Sequence, residues 1–156
     1  MYLHTLIRLR VWLLLVLISN KSLNRIVDLL HAEDVEHRNE RTIGDCLEYF
    51  MSNSMFESIG AYTKADRPHG FFKIGISVLV SIIETVHSTS LLSQANIHKT
   101  LVMVLDTILV SLTENSKYLN CEQEIVDFIT SISLRCYNEP HITNLFFTNV
   151  KNMSTK

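Results

Sequence analysis

The stretch from about Pro68 to His87 is apolar around most of its circumference, and this constrains the chain more than any other feature. Its polar positions Lys73, Ser77, Ser81 and Glu84 are spaced by four, four and three residues, so on a helix they form one stripe. A helix with so narrow a wet side must be covered by neighbours on most of the others. The remaining segments have to supply that cover.

They read as helices. Only four Gly and two Pro occur in 156 residues, too little turn chemistry for the many hairpins of an all-β protein. Apolar residues make up 47% and charged residues 19%, which is too apolar and too weakly charged for a disordered chain. Fourteen Lys+Arg against 16 Asp+Glu leave no basic excess, which argues against a nucleic-acid binder working by phosphate neutralisation. Three Cys is an odd number for a secreted disulfide framework and fits a reducing cytosol.

The N-terminus carries two Arg before the unbroken apolar run Val11 to Ile18. Charge followed by a short apolar run is how a signal peptide begins, but Ser19-Asn20-Lys21-Ser22 offers no small-x-small cleavage site. A membrane span needs about 20 apolar residues. The reading is an apolar N-terminal helix over 1–22. The alternative is a membrane-anchored or secreted helical protein directed by that run, in which case Asn20 and Asn152 become glycosylation sequons.

Beyond it the pattern predicts a short helix over Ser22 to Ala32, with Leu23, Ile26, Val27, Leu29 and Leu30 inward. Glu33 to Thr42 reads as a solvated loop of mixed charge. Thr42 with Asp45, and Ser54 with Glu57, read as the caps of two short helices. Cys46, Leu47, Phe50 and Met51 share one face of the first, and Met55, Phe56 and Ile59 open the second. Asn96 reads as the cap of Ile97 to Thr113, where Ile97, Leu101, Val104, Leu105, Ile108, Leu109 and Leu112 gather into one arc. Met103 and Val110, seven apart, fall on the polar side and are left over. A helix over Cys121 to Tyr137 carries the stripe Ile125, Phe128, Ile129, Ile132 and Cys136. Asn138-Glu139-Pro140 ends it, and a short helix with Ile142, Leu145, Phe146 and Phe147 follows. Residues 149–156 form a polar tail.

Helices of this length, several burying more than one face, fit antiparallel pairs stacked side by side, as in HEAT or armadillo solenoids. A plain helical bundle is the alternative, since no tight sequence period is visible.

Motifs for catalysis are missing: no His-Glu-x-x-His, no Gly-x-Ser-x-Gly and no phosphate loop. His31-Ala32-Glu33 holds half of a zinc-deaminase signature, without the Pro-Cys-x-x-Cys that completes it. Cys46, Cys121 and Cys136 lie on or beside apolar stripes, where Cys acts as a small hydrophobe. Cys136 with His141 makes at most half a metal site. No catalytic, cofactor-binding or metal-ligating residue is assigned and no cofactor is implied. Met103 and Val110, an apolar pair on a polar face, are the candidate partner contacts, with inter-helix packing as the other reading.

Four strings carry a resemblance. They are Cys46-Leu47-Glu48-Tyr49-Phe50 with Met55-Phe56-Glu57-Ser58-Ile59; Lys64-Ala65-Asp66-Arg67-Pro68-His69-Gly70; Ser90-Leu91-Leu92 with Asn96-Ile97-His98-Lys99; and Glu124-Ile125-Val126-Asp127-Phe128 running to Glu139-Pro140-His141-Ile142-Thr143-Asn144-Leu145-Phe146-Phe147. In this order the segment from Leu23 to Phe147 resembles the family of FTS- and Hook-interacting proteins, also described as retinoic-acid-induced-like proteins. His69 stands where the family commonly has a second Pro, and Thr100 replaces the Pro after His98-Lys99. The resemblance implies an α-solenoid segment over 23–148, without catalytic activity, from a family whose chains are several times longer. It also implies cytoplasmic partners: FTS-like and Hook-like proteins linking endosomal or vesicular cargo to dynein, and a small GTPase on a membrane that is bound peripherally.

Overall fold

A computed structural model of the chain describes residues 2–37, 43–87, 91–113 and 119–144, with 2–19 in backbone alone. Every element among the described residues is helical: α1 Tyr2–His37, α2 Asp45–Ser52, α3 Met55–Ala65, α4 Phe71–Thr85, α5 Ala95–Thr113 and α6 Glu122–Asn138. A 3-10 turn at Leu119–Cys121 leads into α6, and a last helical turn spans 140–144.

The apolar helix α4 lies inside. Ile76, Leu79, Ile82 and Ile83 are fully buried, and Phe71, Phe72, Val78 and Val80 nearly so. Helices α1, α3 and α6 pack against it from different sides, and α5 lies on α3. The short α2 touches both α1 and α3. One continuous core results, with Phe50 of α2, Phe56 of α3, Leu101 of α5 and Phe128 of α6 converging on it. The polar stripe of α4 stays at the surface, where Ser77 and Ser81 turn their hydroxyls onto the carbonyls four residues back.

Two glycines set how closely these helices approach. A Cβ at Gly75 of α4 would overlap the Thr63 hydroxyl of α3, and a Cβ at Gly60 of α3 would overlap the Thr100 methyl of α5. The buried Thr63 hydroxyl is satisfied within its own helix by the Ile59 carbonyl, at 2.7 Å.

Helix ends are tied by carboxylates from outside the helix concerned. Glu33 of α1 accepts from the backbone N–H groups of Cys46 at 2.8 Å and Leu47 at 2.9 Å, capping α2 across a tertiary contact. Asp66 accepts from Gly70 N–H at 2.9 Å and Phe72 N–H at 3.0 Å, and so caps α4. Asp34 accepts from His87 N–H at 2.9 Å, just beyond the end of α4. Glu33 and Asp66 meet N–H groups that the starts of α2 and α4 leave unmatched, while Asp34 holds an N–H of the segment that follows α4.

Several expectations are corrected. No break separates an N-terminal helix from a second one: α1 runs through residue 22 to His37, so Glu33 to His37 are helical. The charges of that stretch are used in tertiary contacts: Glu33 takes backbone donors of α2 and Asp34 that of His87, beyond the end of α4. Thr42 lies outside the described residues, and Glu33 does the capping expected of it. Ser54 adopts a left-handed conformation with φ 51 and makes no side-chain cap bond. Asn96 lies inside α5, where its carbonyl accepts from the Thr100 hydroxyl. Leu145, Phe146, Phe147, the tail 149–156 and the side chains of Val11 to Ile18 lie outside the described residues.

In urea denaturation, Gly75→Ala is expected to cost about 1–3 kcal/mol by forcing α3 and α4 apart. Glu33→Ala is expected to cost about 1–2 kcal/mol by orphaning two N–H groups, while the exposed Lys64→Ala stays within about 0.5 kcal/mol of the parent.

Candidate partner-binding surfaces

The arc read along α5 is buried only over its first three turns. Ile97, Leu101, Val104 and Ile108 are in the core and Leu105 is half-buried. Leu109 and Leu112 are 60% and 63% exposed, because α3 covers only part of the longer α5. Val110 beside them is 53% exposed. The described end of α5 is therefore apolar on more than one side.

Met103 and Val110 have different surroundings. Met103 is half-buried against the core, its terminal methyl close to Gly60 of α3. The inter-helix packing reading fits its position. Val110 is exposed, on a different side of α5 from Leu112. Leu109 and Leu112 lie on the same arc as Leu101 and Ile108, and periodicity alone does not separate them.

A second surface lies between α1 and α2. Ile26, Leu29, Leu30, Asp45, Cys46, Tyr49, Phe50 and Met55 line a groove of about 300 Å³. Leu30 and Phe50 form its floor, while Leu29 and Tyr49 stand at its lips, 52% and 65% exposed. Leu29 was expected to point inward with Leu30. The groove exists because α2 lies along α1, a fact that no local pattern carries. Leu29 also borders a more open depression with Lys21, Asn24, Arg25 and Asp28.

Polar chemistry gathers where the end of α4 meets α6. Arg135 is buried, with its guanidinium 2.9 Å from His87 Nδ1 and 3.1 Å from the Glu139 carboxylate. The Ser131 hydroxyl donates to Glu84 at 2.5 Å. This set ties helices together, and the Glu139 carboxylate in it also raises the thiol of Cys136. Arg135 stands in the last turn of α6, and the apolar spacing of that helix carries no sign of its burial or of its pairing with Glu139, one turn on.

The cysteines are separate. Cys121 is buried, Cys136 half-buried and Cys46 exposed. Desolvation holds all three thiols above their usual range, with the Glu33 carboxylate adding to the effect at Cys46. A raised thiol is the opposite of an activated nucleophile. Among the described residues, no three His, Cys, Asp or Glu side chains cluster as a metal site would require.

Ala95–Thr113 is long and apolar enough to cross a membrane by length and composition, but its buried face belongs to the shared core. His98 on that face is 1% exposed, and burial pushes its imidazole below the usual range. The folded chain thus holds His98 neutral while the unfolded chain protonates it below about pH 6.5. Stability is fully present above that pH and falls as pH drops through it. The midpoint of urea denaturation is expected to decline from pH 7.5 to 5.5, and to decline less in His98→Gln. Equal slopes would contradict this assignment.

Compared with known families, residues 46–156 match the family model described as RAI16-like, retinoic acid induced 16-like protein. The matched span takes in the chain from the first turn of α2 onward. No solved structure matches the chain.

Proposed function

Because the chain belongs to the RAI16-like family, which corresponds to the FTS- and Hook-interacting proteins, we propose that it is a non-catalytic adapter segment acting through its helix surfaces. The observation that carries this reading is the apolar end of α5, where Leu109 and Leu112 are exposed on one face, on a family member. Such a surface needs no activated group, only shape and a few anchors that lose water on contact.

A solenoid segment of antiparallel pairs is the architecture proposed with it. In support, α3 packs on α4, α5 lies on α3 and α6 lies on α4, the neighbour relations expected when one helix pair stacks on the next. The partners proposed are FTS-like and Hook-like proteins, with a small GTPase on the cargo membrane. The proposed setting is cytoplasmic, peripheral on endosomes or vesicles, with cargo linked to dynein for movement along microtubules.

Affinity capture with the tagged full-length protein tests the reading. Hook and FTS homologues are expected in the captured fraction and are expected to fall at least about tenfold in Leu109→Lys/Leu112→Lys, as loss of two apolar anchors implies. Circular dichroism unchanged from the parent controls for folding. Capture equal in parent and variant removes the α5 surface from the account. Carbonate-resistant membrane association, or glycosylation at Asn20, contradicts a peripheral cytoplasmic adapter altogether.

A further inference from the structure

Helix α1 outruns the helices it packs on. His87, two residues past α4, donates its backbone N–H to Asp34 of α1. The 15 helical residues of α4 and the two after it span at most about 28 Å, so α4 reaches back along α1 no further than about Leu15. The eight residues of α2, whose first turn is held by Glu33, reach back about 12 Å, to about Arg25. The turns of α1 from Tyr2 to Leu14 lie beyond the reach of both.

Charge separates this half of α1 from the rest of the chain. Arg8, Arg10, Lys21 and Arg25 lie before Asp28, and all 16 Asp+Glu lie from Asp28 onward. Val11 to Ile18, between the two pairs of cations, is apolar at every position and so on every side of the helix. Lys21 and Arg25 are exposed, on the side of α1 roughly opposite Leu23, Val27 and Leu30, which pack in or against the core. Asp28 is the one carboxylate lining the open depression with them.

We propose that this half of α1 docks on an anionic lipid bilayer, with Val11 to Ile18 sunk into one leaflet and the flanking cations on lipid phosphates. The proposal goes beyond the adapter reading and does not depend on it. An apolar run of this length is about 12 Å long as a helix and cannot cross a hydrocarbon core of about 30 Å. Both its ends therefore meet the headgroup layer it entered, with Arg8 and Arg10 before it and Lys21 and Arg25 after it reaching anionic groups. Cations clustered without acidic neighbours are what such a layer attracts. Because Lys21 and Arg25 point away from the core, the helical body stays in water when they touch the membrane. A second copy of the chain bringing the same half of α1 would set like charges against like.

The test uses the full chain with vesicles of phosphatidylcholine alone or mixed with phosphatidylserine. Flotation is expected to carry at least about tenfold more chain with the serine-containing vesicles, the excess being lost as salt is added or on an alkaline carbonate wash. Trp12, the one tryptophan of the chain, stands in the apolar run. Its emission is expected to shift to the blue on those vesicles, and bromines near the headgroup end of the acyl chains are expected to quench it more than bromines at the bilayer centre. Lys21→Glu/Arg25→Glu is expected to lower binding at least about tenfold. Leu14→Glu is expected to abolish the shift, and circular dichroism of both variants stays as in the parent. Equal binding to the two vesicles, or binding indifferent to Lys21→Glu/Arg25→Glu, overturns the proposal. Trp12 quenched most from the bilayer centre, with the chain retained after carbonate, also overturns it, since the helix would then span. Emission already blue in a lipid-free oligomer that Leu14→Glu disperses does the same, the occupant then being a second copy.

Discussion

The need to keep one nearly all-apolar helix out of water organises this molecule. α4 has four fully buried branched side chains, and each exposed in water would cost roughly 1.5–3 kcal/mol. No single neighbour can cover such a circumference, so α1, α3 and α6 are all recruited to it. Gly75 allows α3 to come close enough to complete one of those sides, and Gly60 passes the same closeness on to α5. The remaining helices take their positions from this arrangement, and so do the surfaces left over.

Carboxylates fix the geometry that burial only favours. Hydrophobic cover is non-directional and would tolerate helices sliding along one another. Glu33 on α2, Asp66 on α4 and Asp34 on His87 each bind backbone N–H groups at one register. The buried Arg135, between His87 and Glu139, does the same for α4 and α6. A buried guanidinium of this kind is costly unless paired, so it specifies alignment more than it adds stability.

Most of the helices were legible because their apolar spacing is strong and Pro68 and Pro140 punctuate it. The buried stripe of α4 and the core positions Ile125, Phe128 and Ile132 of α6 lie where periodicity put them, whereas Ile129 of the same stripe is 44% exposed. Three kinds of feature were not legible. Long-range caps were missed because Glu33 and Asp66 act on helices other than their own, so local capping boxes at Thr42 and Ser54 looked sufficient. The exposed end of α5 was missed because Leu109 and Leu112 share the period of Leu101 and Ile108, and only the length of α3 distinguishes them. The groove was missed because it depends on where α2 lies along α1. Of the residue pair singled out as left over, Met103 packs against the core while Val110 is exposed.

A family member with a covered centre and open apolar surfaces is suited to holding other proteins, and desolvation shifts its three thiols away from the thiolate. Hydrogen exchange measured on the chain alone and with purified FTS and Hook homologues tests this most directly. The account predicts that partner binding slows exchange in peptides covering α1–α2 and the end of α5, while α4 is already slow in the free chain and does not change. Rapid exchange of α4 in the free chain, or partner-induced slowing confined to regions outside α1–α2 and the end of α5, would contradict it.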